Sequence, residues 1–151
     1  MTKLSLRTAR IDDLEFVRDC ADCAYRIYVD RIGKKPAPMI ADFAAALDGG
    51  QLEIVQAGDE PIGFLVSFPK NRSLFVENVA LHPSHQGNGF GGALFSLLED
   101  RAKAEELLSI ELYTNEKMTE NLAFYPRLGF EETERRSEAG FNRVYFRKTL
   151  N

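Results

Sequence analysis

Residues 79 to 100 read VALHPSHQGNGFGGALFSLLED, and no other stretch so narrows the folds open to the chain. The apolar, β-branched run ending at Leu81 has strand character. Pro83 closes it, glycines stand at 87, 89, 91 and 92, and Leu94, Leu97 and Leu98 then recur at helical spacing. A strand that enters a helix through a tight loop must return to the sheet by a crossover. The next strand signal, SIELY at 109–113, therefore lies parallel to the first in a right-handed unit. The same junction aims free backbone N–H groups and the positive end of a helix dipole at one place, which suits an anion.

The remaining elements fit around this unit. LSLRTA (4–9) alternates as a strand. Asp12 is the expected cap of the helix that follows, with Glu15 three residues on and Ile11 and Phe16 spaced as a hydrophobic staple. Leu14, Val17, Ala21, Ala24, Tyr25 and Tyr28 continue at helical spacing until DRIGKKPAP interrupts them. MIADFAAALDGG reads as a second, short helix ended by glycines. QLEIVQA, IGFLVSF and SLFVENVAL form an antiparallel meander. After the crossover, TENLAFYPRL reads as a helix, and FEETERR and NRVYFRKTL as a closing hairpin. The order βααβββαβαββ defines a mixed α/β class: one mostly antiparallel sheet with a single parallel βαβ unit and helices on both faces.

With 151 residues, 44% of them hydrophobic, one domain spanning 1–151 is the expected organisation. A net charge of −4 with scattered basic residues argues against a nucleic-acid footprint. The absence of a signal-peptide core or a long apolar span argues against membrane insertion and for a cytoplasmic location. Cys20 and Cys23 form a CxxC inside a helical pattern rather than at a helix N-terminus, so they read as packed thiols. His82 and His85 sit on a Pro turn with no third histidine, so no metal is expected.

GNGFGG also satisfies G-x-G-x-x-G, with Glu111 about twenty residues on where a dinucleotide fold carries its ribose-binding acid. Two features oppose that reading. HPSHQ separates Leu81 from Gly87, and three strands precede the unit. A shifted frame matches better. Gln86-x-x-Gly89-x-Gly91, preceded by Val79-x-Leu81-x-Pro83 and followed by Leu94, resembles the acetyl-CoA-binding motif of the GNAT superfamily of N-acetyltransferases. YTNEKMTENLAFYPRLGF (113–130) resembles that family's later motif, and the element order is also the family's.

The resemblance implies an acetyl-CoA-dependent N-acetyltransferase acting on a primary amine of a small molecule or peptide. The CoA pyrophosphate would rest on the backbone of Gln86, Gly87, Asn88, Gly89, Phe90, Gly91 and Gly92, with pantetheine along Val79, Ala80 and Leu81 and a backbone N–H near Val79 or Asn78 facing the oxyanion. Gln86 and Asn88 stand where relatives often carry Arg or Lys, so charge neutralisation falls to Lys117 or Arg127 instead. Tyr125 matches the family's thiolate-protonating tyrosine, although its spacing with Leu122 and Leu128 also fits simple packing. Asn121 matches a cofactor-contacting position or is an ordinary surface asparagine.

Glu77, in VENVAL, shares by alternation the side of Val79 and Leu81 and is either the base for the ammonium, its pKa raised by burial, or a solvated or paired acid. In this fold the acceptor enters beside the first two helices, which nominates Tyr28, Arg31, Met39 and Asp42. Homodimers are common among the proteins resembled. The rival to the enzyme is a non-catalytic CoA-binding module, against which the joint presence of Tyr125 and Glu77 argues.

Overall fold

A computed structural model describes residues 3–151. In chain order the elements are β1 (Leu4–Thr8), α1 (Leu14–Tyr25), α2 (Val29–Ile32), α3 (Phe43–Asp48), β2 (Leu52–Ala57), β3 (Glu60–Lys70), β4 (Ser73–Leu81), α4 (Phe90–Ala104), β5 (Ser109–Asn115), α5 (Thr119–Arg127), β6 (Glu131–Glu138) and β7 (Phe141–Thr149). All seven strands join one sheet in the order β1-β2-β3-β4-β5-β7-β6. Every neighbouring pair is antiparallel except β4 and β5. This is the mixed sheet that the crossover at residues 79–113 demands.

Apolar residues divide between the two faces. Val17, Cys20 and Ala21 of α1 and Phe43 of α3 pack with Leu52, Ile54, Phe64, Val66 and Ala80. Leu94, Phe95, Leu98 and Ala102 of α4, with Tyr125 of α5, pack on Val55, Leu65, Leu74, Val76, Ile110 and Leu112. Both helical layers are thus held by burial, the dominant stabilising term in a domain of this size. Cys20 lies fully inside the first cluster, where burial pushes its thiol up to about 12, and Cys23 is half-buried beside it. The pair therefore behaves as packing. β6 is the opposite case: its residues are exposed except for half-buried Glu138, and its arginines pair with its own glutamates, Arg135 with Glu132 and Arg136 with Glu134.

Local departures from the sequence expectation have simple causes. A 3-10 turn, Ile11–Asp13, precedes α1 and moves the first helical residue to Leu14. The acid that serves this corner is consequently Asp13 and not Asp12. Its carboxylate accepts the Arg10 N–H at 2.7 Å and two guanidinium N–H groups of Arg7 at 2.8 and 2.9 Å. Ile11 is 74% exposed, so the staple with Phe16 does not form. At the other end of α1, Arg26–Tyr28 tightens to a 3-10 turn, and the helical register resumes only for the four residues of α2. α3 begins at Phe43 because Asp42 caps it, accepting the Ala45 N–H at 3.0 Å.

The hydrogen bonds from Arg7 hold the Asp13 carboxyl down to about 2, with burial opposing them. A folded-state pKa below the unfolded value gives stability that is present above the ordinary carboxylate range and lost as pH falls toward 2. Asp13→Asn is therefore expected to lower the unfolding free energy by about 2 kcal/mol at neutral pH. That deficit should shrink steadily between about pH 5 and pH 2, as read by urea titrations of both chains across the range.

Candidate active site

The ladder between β4 and β5 holds four residue pairs, Ser73–Ser109 through Val76–Leu112, and then stops while both strands run on. Immediately past its last pair, β4 carries a bulge. Val66 of β3 faces Asn78, Ser67 faces Val76, and Glu77 is left without a partner. One extra residue resets the alternation of side chains and increases local twist. Leu74 and Val76 face the α4 layer, but beyond the bulge it is Val79 and Leu81 that do so, while Ala80 turns to the α1 layer. Of the three residues expected along the pantetheine track, Ala80 is thus the one whose side chain turns away from the α4 layer. Its side chain is buried, and its carbonyl lies so close under Gly63 of β3 that a Cβ there would stand 2.2 Å away.

A pocket of about 230 Å³ occupies the gap between the parted strands. Glu77, Asn78 and Val79 line it from β4, Tyr113, Thr114 and Asn115 from β5, Asn121 and Tyr125 from α5, Tyr25 from α1, and Arg143 from β7. The bulge corrects the placement of Glu77. It does not share the face of Val79 and Leu81 but is exposed, coupled by charge to Tyr113, whose ring packs on Phe75 across the opposite face. The Tyr113 phenol is held above its ordinary pKa by burial first, with Arg143 opposing and Glu77 adding to the rise. Exposure removes the expected burial of the Glu77 carboxylate in the free protein.

The glycine loop folds as a cap without a side chain. His82 Nδ1 accepts the Ser84 N–H at 3.2 Å and starts a 3-10 turn, Pro83–His85, while His85 sits 3.4 Å from Glu60. Both histidines are thus spent on the turn. Gly89 then enters α4 with φ +79°, a left-handed conformation costly for any residue with a Cβ. Among the described residues, no backbone N–H from Gly87 to Gly92 donates to another group; the first N–H beyond them, that of Ala93, bonds the Gly89 carbonyl at 3.2 Å. Six donors at a helix N-terminus are left without a protein acceptor. The Gln86 side chain is already used, donating from Nε2 to the Leu81 carbonyl at 3.0 Å. Lys117 and Arg127 are exposed and take part in no ion pair among the described residues. Glu111, the acid a dinucleotide site would need, is bonded across the sheet to Arg147.

Tyr125 is 6% exposed, surrounded by Phe95, Phe124, Phe130 and Phe146, and burial drives its phenol above the ordinary value. Asn121 donates from Nδ2 to Thr114 Oγ1 at 3.0 Å. Tyr25 was legible only as part of a helical stripe, yet its buried hydroxyl reaches across to donate to the Val79 carbonyl at 2.6 Å. Of the four residues nominated for the acceptor, Asp42 lines the pocket, and Tyr28, Arg31 and Met39 do not. Arg31 instead clamps α2 to α5 through two bonds to Glu120, at 2.6 and 2.9 Å, and stacks over Tyr28. Arg143 and Tyr113 reach the pocket from strands that alternation alone marks only as sheet. Asn78 did carry a signal, a polar side chain inside the apolar VENVAL.

The profile of the acetyltransferase (GNAT) family matches residues 14–130. Solved structures agree on the fold. The ribosomal-protein-S18-alanine N-acetyltransferase of Escherichia coli aligns over 98% of this chain and 94% of its own, with TM-score 0.75 and 16% identity. The PaiA N-acetyltransferase of Thermoplasma acidophilum, in complex with coenzyme A, aligns over 98% and 99% with TM-score 0.77 and 16% identity. A chimera of the spermidine N-acetyltransferase SpeG from Vibrio cholerae with hSSAT aligns over 98% and 96% with TM-score 0.75 and 19% identity. No curated protein matches in sequence. The chain belongs to the acetyltransferase (GNAT) family and is an acetyltransferase by class.

Gly89 also permits a clean test of the loop's conformation. A Cβ at this position meets nothing within 4 Å, so only the backbone penalty applies. Gly89→Ala is expected to destabilise the free protein by about 1 kcal/mol, measured by urea unfolding, with no change in the slope of the transition.

Proposed function

We propose that the chain transfers the acetyl group of acetyl-CoA to a primary amine of a small molecule or peptide by direct attack on the thioester. The observation that carries this reading is the row of unpaired N–H groups from Gly87 to Gly92 at the N-terminus of α4, one loop beyond the parted end of β4. That donor set fits a pyrophosphate: it is electropositive, open, and has no side chain in the way at Gly87 and Gly89. The loop itself carries no cation, so Lys117 and Arg127 are the residues assigned to the remaining phosphate charge. A relative of the same fold holds coenzyme A, which supports the choice of ligand.

Bound acetyl-CoA supplies an electrophilic thioester carbonyl and a thiolate leaving group. Val79 presents its backbone at the pocket, and its N–H is assigned to the developing oxyanion. The hydrogen bond from Tyr25 to the Val79 carbonyl holds the following peptide, Val79–Ala80, and so anchors the strand next to that donor. Glu77 takes the proton that leaves the nitrogen, directly or through water, as a solvated carboxylate at the rim. Tyr125 gives its hydroxyl proton to sulfur as the C–S bond breaks. Burial raises the phenol's pKa, but the same desolvation raises the basicity of a thiolate placed beside it, so the match between the two survives. Asn121, its Nδ2 tied to Thr114, keeps its side-chain carbonyl for the pantetheine amides.

Relatives of the same fold are named for a ribosomal-protein alanine and for spermidine, so a peptide with N-terminal alanine and a polyamine are the first acceptors to try. At about 100 times its Kd, acetyl-CoA should add about 2.7 kcal/mol of stability, a rise in the unfolding midpoint on the order of 5–10 °C. NAD should leave the midpoint unmoved. Tyr125→Phe should lower kcat by about 100-fold while keeping the acetyl-CoA shift. No shift with acetyl-CoA or CoA would remove the cofactor from the reading and the transferase with it.

A further inference from the structure

We infer that Asn78 binds the acceptor nitrogen: its side-chain Oδ1 receives an N–H from the attacking amine, and this requirement restricts the enzyme to primary amines. The inference rests on the transferase reading and extends it to the acceptor. Asn78 is 8% exposed and lines the pocket beside Glu77 and Val79. Its Oδ1 is buried without a hydrogen-bond partner, the one such side-chain atom among the described residues. The bulge that frees Glu77 from pairing sets Asn78 opposite Val66, on the face where Val66, Phe64 and Ala80 form an apolar cluster. A buried amide oxygen without a donor weakens the free protein and returns nothing until a donor arrives.

Two donors that line the pocket are committed elsewhere, and the Tyr125 hydroxyl is assigned to the leaving sulfur. Tyr25 gives its hydroxyl proton to the Val79 carbonyl at 2.6 Å, and Asn121 gives its Nδ2 to Thr114 at 3.0 Å. Arg143 stacks over Tyr113, 4.3 Å from its ring centroid, with Glu138 as its carboxylate neighbour at 3.7 Å. None of the protein's donors reaches Asn78 Oδ1, so the donor it awaits is assigned to the substrate. A carbonyl oxygen repels the oxyanion of the reaction, so the group it awaits is the nucleophile rather than the acetyl oxygen. One N–H on Asn78 and a second proton free to leave toward Glu77 require a nitrogen with two hydrogens, its lone pair turned to the thioester carbon. Secondary amines and alcohols carry a single hydrogen and cannot serve both residues.

The test uses the full chain with saturating acetyl-CoA and four probes: spermidine, a tripeptide beginning with alanine, butylamine and N-methylbutylamine. Asn78→Leu should lower kcat/KM for the primary amines by roughly 10- to 100-fold. It should keep the thermal shift with acetyl-CoA and raise the ligand-free midpoint by roughly 2–5 °C, because the unpaired carbonyl is gone. Asn78→Asp, which retains an acceptor oxygen but no donor, should stay within about fivefold of the parent. N-Methylbutylamine should be at least about tenfold poorer than butylamine. Equal rates for Asn78→Leu and the parent, loss of activity in Asn78→Asp matching that in Asn78→Leu, equal use of the two butylamines, or no turnover of any amine by a parent that binds acetyl-CoA would each overturn the assignment. A parent that shows no shift with acetyl-CoA fails at the earlier step and takes the transferase reading down as well.

Discussion

Four residue pairs join the two halves of this sheet. Ser73 to Val76 lie against Ser109 to Leu112, starting from a buried contact of 2.5 Å between the hydroxyls of Ser73 and Ser109, and beyond Leu112 the strands separate. An edge left open inside a sheet is a liability, because each unpaired backbone group asks for a partner. Here the opening is held apart by what sits around it: the bulge at Glu77, the carbonyl of Ala80 pressed under Gly63, and the hydroxyl of Tyr25 on Val79. The pocket is the consequence of a ladder that ends early and of neighbours that keep it from closing.

The two core clusters explain how such an opening is tolerated. Each face of the sheet is covered independently, by α1 and α3 on one side and by α4 and α5 on the other. Neither cluster depends on pairing between β4 and β5 past Leu112. Burial of Leu52, Ile54 and Phe64 under one layer, and of Leu94, Leu98 and Ile110 under the other, supplies cohesion that the missing hydrogen bonds do not. The polar lining is thereby free to serve chemistry, at the expense of an unpaired amide at Asn78.

The sequence carried most of this architecture in its periodicities. Alternation placed β4 at 73–81 with the observed ends, and the Pro–Gly punctuation placed the loop and the start of α4. It could not carry the bulge. A single extra residue inside SLFVENVAL leaves composition and pattern intact and changes only the register against β3, so Glu77 was assigned to the wrong face. Three of the four nominated acceptor residues, Tyr28, Arg31 and Met39, stand outside the pocket lining; Arg31 finds Glu120, 89 positions away, and no local pattern reports a pairing over that distance. Tyr25, by contrast, was visible at its place in a helix, but a stripe that points at a core and a stripe that points at a pocket have the same spacing.

β6 closes the sheet on one side with a strand whose charges are neutralised within itself. Glu132 with Arg135 and Glu134 with Arg136 occupy both of its faces, leaving no apolar surface to offer a neighbour. A second copy seeking to extend the sheet there would have to strip water from every one of these ions and gain only main-chain bonds in return. Strand addition at this rim therefore carries a desolvation cost that an apolar edge would not.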